Sequence, residues 1–148
     1  MLKQGSVGDI KSGRLSRSDG YLVVAMRFYP RFLRKELRDE FIADLAPQKE
    51  LLHDFNAAAK QLGNHNDSFA EVDYENRLEL SPKAFSELKR LADLSKTKDV
   101  YILCVCKPGD RCHREILMLI ANKLYGTKID RVFHAYPDVM RRLPELTR

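Results

Sequence analysis

The chain has 148 residues, 44% hydrophobic and 32% charged, which suits one compact soluble domain over 1–148 and excludes two full ones. No apolar run approaches the roughly 18 residues needed to cross a bilayer, and the opening MLKQGSVGDIKSG lacks the apolar core of an export signal, so a cytoplasmic protein with no membrane partner is expected. A net charge of +5 attracts anions mildly and falls short of a nucleic-acid footprint by itself.

The placement of the charge says more than its sum. Residues 1 to 38 carry nine Lys/Arg against three Asp/Glu, residues 39 to 98 carry eight against twelve, and residues 99 to 148 carry nine against six. Both ends are basic and the middle is acidic, so ends that meet in the fold would make one positive surface.

In chain order, the Gly/Ser-rich stretch at 11–20 reads as a loop, and the run YLVVAM at 21–26, short, β-branched and bounded by Asp19-Gly20 and Pro30, reads as a buried strand. Residues 34–46 fit a helix or an irregular strand. Helices are expected at 48–61 and 67–78, separated by Gly63-Asn64, and at 82–95, where Ser81 is the N-cap and Pro82 the first helical residue. A second buried strand is expected at 99–105 (DVYILCV). After the loop Lys107-Pro108-Gly109-Asp110 comes a helix carrying Ile116, Leu117, Ile120, Ala121 and Leu124 on one face, ended by Gly126. A third strand is expected at 131–135. This alternation predicts a single α/β domain, with a mainly parallel central sheet and helices on both faces, a Rossmann-like three-layer sandwich.

Ligands of such sheets bind beyond the carboxyl ends of the strands. The first strand would deliver Arg27, Tyr29 and Arg31 there, the second Cys106 through Arg114, and the third His134 and Tyr136. The three cysteines, Cys104, Cys106 and Cys112, lie within nine positions and are not spread as a disulfide framework would be. A loop entering a helix offers unpaired N–H groups and a positive dipole end to an anion, and Arg111 and Arg114 stand at that entry. A thiol there, beside His113 and Arg114, has its pKa lowered, which makes Cys112 a candidate nucleophile and Cys106 the other. A phosphatase-type loop needs five residues between cysteine and arginine. Here four separate Cys106 from Arg111 and six separate Cys104 from Arg111, which disfavours that loop. A metal held by the cysteines and His113 is disfavoured as well, because a strand would not bring Cys112 near both Cys104 and Cys106. No metal and no cofactor are therefore expected.

Plainer roles stand beside these. Cys104 fits a small core residue, Cys112 and His113 fit helix-cap positions, Arg27 and Arg31 fit surface ion pairs with the acidic middle, and His134 fits a satisfied strand-end histidine.

The residues Ser18-Asp19-Gly20-Tyr21 through Arg27-Phe28-Tyr29-Pro30-Arg31, then Leu45-Ala46-Pro47, and the later Cys112-His113-Arg114 after an apolar strand ending in Cys104 resemble the domain of unknown function 488 family (YeaO-like). The resemblance covers roughly residues 18 to 125. Tyr29, Phe32 and Gln48 depart from the tryptophan, glycine and serine usual there. The resemblance supports the α/β fold and implies no substrate.

The expected function is anion binding, of a phosphate- or nucleotide-type small molecule, at the carboxyl sheet edge. Arg27, Arg31, Arg111 and Arg114 would be the anion ligands, and Cys112 or Cys106, with His113, the catalytic groups of a cysteine-nucleophile transferase or hydrolase. Tyr29 and His134 would support them from behind. The alternatives are a nucleic-acid binding module that stacks bases on Tyr21, Tyr29 and Tyr136, and a redox-sensing thiol protein.

Overall fold

Four parallel strands form the centre of the computed structural model, which describes residues 1–147. In chain order the elements are β1 (Leu2–Ser6), α1 (Val7–Lys11), β2 (Tyr21–Val24), β3 (Glu40–Phe41), α2 (Lys49–Leu62), α3 (His65–Glu71), α4 (Tyr74–Arg77), α5 (Pro82–Leu94), β4 (Val100–Cys104), α6 (His113–Tyr125) and α7 (Pro137–Leu146). The sheet order is β1-β4-β2-β3, so the two apolar runs seen in the sequence are its central strands. Among the described residues, no helix is long and apolar enough to cross a membrane.

Successive side chains of a strand point to opposite faces, and the core divides accordingly. Val23, Ala25, Val100 and Ile102 face a large cluster with residues of α2 to α7, whereas Leu22, Val24 and Leu103 face a smaller one with Val7 and Ile10 of α1 and Leu33. The domain is thus α/β and consistent with a three-layer sandwich, but one outer layer is only a short helix and a loop.

Local chemistry sets the helix boundaries. The Ser81 hydroxyl accepts from the Ala84 N–H at 3.1 Å, with Pro82 in the first turn, a cap worth about 1 kcal/mol. Gly126 ends α6 in the left-handed region at φ 64°, where a side chain would be strained. Gly20 is required for a different reason, since a Cβ there would lie 2.8 Å from the Asp99 carbonyl oxygen. Gly20→Ala is therefore expected to destabilise the domain by about 1–3 kcal/mol, read as a lower urea midpoint at unchanged slope; an unchanged midpoint would show that the β2 entry moves freely.

Two expectations are corrected, and two further elements are located. Residues 131–135 form no strand, and only an isolated bridge between Leu2 and Ile129 lies near them. The edge position is filled instead by β1, which the sequence did not announce. Residues 67–78 hold two short helices, broken where Asp73 adopts a left-handed backbone at φ 54°. Residues 34–46 hold β3 between single 3-10 turns at Lys35–Leu37 and Ala43–Leu45.

Candidate functional site

β4 ends at Cys104, which shares the face of Val100 and Ile102. Past the strand, the Asp110 N–H donates to the Lys107 carbonyl at 3.1 Å and the Lys107 N–H to the Asp110 carboxylate at 3.2 Å, with Gly109 at φ 95°. This tight turn folds the chain back, so Cys112, the residue before α6, returns to the end of β4. The three Sγ atoms lie within 4.8 Å of one another, and those of Cys104 and Cys106 are 3.9 Å apart. The expectation that Cys112 would stand apart from the other two is thereby overturned, because it treated the loop as a spacer when it is a reversal. All three thiols are free; Cys104 and Cys112 are buried and Cys106 is half-buried.

His113 stands beside Cys112. Its Nε2 lies 2.6 Å from the Ala25 carbonyl oxygen, which can only accept, so Nε2 carries the hydrogen. In the neutral ring this leaves Nδ1 as an acceptor, 3.5 Å from Cys112 Sγ. Burial pushes the Cys112 thiol up. Hydrogen bonds from Cys104 and Cys106, the Arg114 charge and the Arg114 N–H outweigh that and hold it well below the ordinary thiol range. Cys106 moves the other way, raised by its hydrogen bonds to Cys104 and Cys112 and by burial.

The next two residues of α6 face inward. Arg114 is fully buried and donates through Nε to Gln4 Oε1 at 2.8 Å, through Nη1 to the carbonyls of Gly5 at 3.1 Å and Cys106 at 2.7 Å, and through Nη2 to that of Lys107 at 2.8 Å. It fastens the cysteine loop to β1, so its expected place as a ligand-facing anion binder is corrected. Glu115, also fully buried, accepts from Tyr136 Oη at 2.7 Å, Gln4 Nε2 at 2.9 Å and the Phe133 N–H at 2.7 Å. Tyr136 Oη in turn accepts the Cys112 N–H at 3.1 Å, so this network fixes the first turn of α6 from below. Burial, then the Glu115 hydrogen bond, pushes the Tyr136 phenol up.

The cysteines line a cleft of about 480 Å³. Phe55, Phe69 and Tyr74 form an apolar wall, with the rings of Phe69 and Tyr74 stacked at 3.9 Å. Arg27, Lys107 and Arg111 also line it, with the carboxylate of Asp110. The Arg27 guanidinium donates to the Pro47 and Ala46 carbonyls at 3.1 and 3.2 Å, and Arg111 donates to the Ala135 carbonyl while lying over the Tyr136 ring. Two expected site residues are elsewhere: Arg31 is exposed and outside the cleft, and Tyr29 packs edge-on to Phe41 on the opposite face of the sheet. His134 sits 2.6 Å from the Gly109 carbonyl oxygen as a brace of the loop.

Sequence reading missed the contribution of the acidic middle segment. His65 Nε2 lies 2.7 Å from the Arg111 carbonyl oxygen, and the Asn66 side chain accepts the Arg111 N–H at 2.9 Å, so α3 braces the loop as well as walling the cleft. Its signal was the spacing of Phe55, Phe69 and Tyr74, which is also that of ordinary core. The stacking set of the nucleic-acid alternative is dispersed. Tyr21 bonds Glu40 at the amino end of β2, Tyr29 is on the far face, and Tyr136 is buried.

No curated protein and no solved structure matches the chain. Residues 7–123, which hold the central strands β2 and β4, the three cysteines and most of α6, match the family model described as the active DUF488-N3 subclade, and the chain belongs to this domain of unknown function 488 family.

Proposed function

We propose that the protein is a cysteine-nucleophile enzyme, of the transferase or hydrolase class, acting on a phosphate- or nucleotide-type small molecule. The observation that carries this reading is the position of Cys112. Its sulfur lines the cleft just before α6, 3.5 Å from a histidine nitrogen whose partner nitrogen is held by a backbone carbonyl, the order of nucleophile, base and orienting group that thiol catalysis needs. His113 Nδ1 takes the thiol proton, the sulfur bonds to the electrophilic centre as the bond to the leaving group breaks, the leaving group receives that proton from His113, and Arg27, Lys107 and Arg111 offset the substrate charge. The description of the matched subclade as active supports an enzyme.

Residue-resolved alkylation of the native protein at neutral pH, with and without inorganic phosphate or a nucleoside monophosphate, tests it. Cys112 is expected to label before the more exposed Cys106, either anion to slow that labelling, and His113→Gln to slow it further. Labelling of Cys106 first, or indifference to both anions, would remove the reading. A second reading, a redox thiol protein, is favoured by the 3.9 Å separation of Cys104 and Cys106, and a loss of two hydrogens under mild oxidation, restored by a thiol reductant, would support it.

A further inference from the structure

Nucleophilic attack needs one thiol, whereas three sulfurs meet here. We propose that Cys104, Cys106 and Cys112 form a three-sulfur binding site for a thiophilic divalent cation of the zinc class, its fourth position facing the cleft that the cysteines line. The inference goes beyond the nucleophile reading and does not depend on it.

The geometry fits. Sulfurs at about 2.3 Å from a tetrahedral zinc stand roughly 3.8 Å from one another, against 3.9 Å for Cys104 and Cys106 and at most 4.8 Å for any pair. The cage is held without an ion in place, since Arg114 grips the carbonyls of Cys106 and Lys107, and Tyr136 the N–H of Cys112. The Arg114 guanidinium also offsets the negative charge of three thiolates around a dication. A three-sulfur donor set selects zinc or a similar soft ion over magnesium and calcium. Binding exchanges three thiol protons for the ion, with no change of oxidation state.

The test is a titration of the reduced, metal-stripped full chain with Co²⁺, followed by displacement with Zn²⁺. One equivalent of Co²⁺ is expected to bind with the ligand-field bands of a tetrahedral ion and a sulfur-to-cobalt charge-transfer band of three-thiolate intensity, both abolished by Zn²⁺. Cys104→Ser is expected to weaken Zn²⁺ binding on the order of a hundredfold, while Cys112 of the metal-free variant still alkylates, because serine keeps an O–H donor in place of the thiol. Zn²⁺ is expected to protect Cys112 in the wild type. Absence of the charge-transfer band in the wild type, or Co²⁺ binding indifferent to Cys104→Ser, would overturn the proposal. Either result leaves the alkylation order to decide the nucleophile reading separately.

Discussion

Arg114→Met is expected to cost about 3–5 kcal/mol of stability, because it removes a buried charged donor that ties the cysteine loop to β1 through four acceptors. Gln4 Oε1 and the carbonyls of Gly5, Cys106 and Lys107 all lose a charged donor, and a methionine fills the space without replacing a single bond. For a chain of this size the thermal midpoint should fall on the order of 10 °C, or cooperative folding should be lost outright. Thermal and urea unfolding followed by circular dichroism check it. A variant that folds with normal stability yet loses the anion protection of Cys112 would return Arg114 to the role of ligand binder expected from its place after Cys112-His113.

Glu115→Ala is expected to cost about 2–4 kcal/mol for the complementary reason. It leaves the Tyr136 hydroxyl, the Gln4 amide and the Phe133 N–H facing a void. Glu115→Gln keeps one acceptor oxygen in the same volume and should fall between wild type and alanine. Because Gln4 bonds both Arg114 and Glu115, the double variant should lose less than the two single losses together. A double-mutant cycle from urea midpoints measures this coupling, and strict additivity would show that Gln4 does not transmit it.

Sequence reading succeeded where a local pattern and the tertiary environment asked for the same residues. The runs at 21–26 and 99–105 are continuously apolar because both faces of a central parallel strand are covered, and the Ser81-Pro82 start and Gly126 stop are local in origin. It failed at β1, whose Lys3, Gln4 and Gly5 carry no strand pattern, since Gln4 is chosen to join Arg114 to Glu115. It failed at 131–135, where Val132 packs on the core but Phe133 and Ala135 are exposed and the segment has no sheet partner. Pro144 lies within α7 and hid the last helix. At the site, residue types and their order were legible from the Cys-His-Arg sequence. The convergence of the three sulfurs was not, because it depends on the reversal between Lys107 and Asp110, and the inward direction of Arg114 depends on acceptors some 110 positions earlier in the chain.

The order of strands also dictates the order of assembly on the ribosome. β1 is made first but its ladder partner is β4, with Leu2 opposite Val100, and β2 likewise pairs with β4 on its other side. Until residue 104 has emerged, only β2 and β3 have a neighbour to pair with, and β1 waits unpaired while the residues between it and β4 are made. Pairings so distant in sequence make for slow folding. The cysteine pocket, built from the last strand and the helix after it, therefore closes only when the sheet does, and the thiols pass through the nascent chain without the hydrogen bonds that later distinguish them.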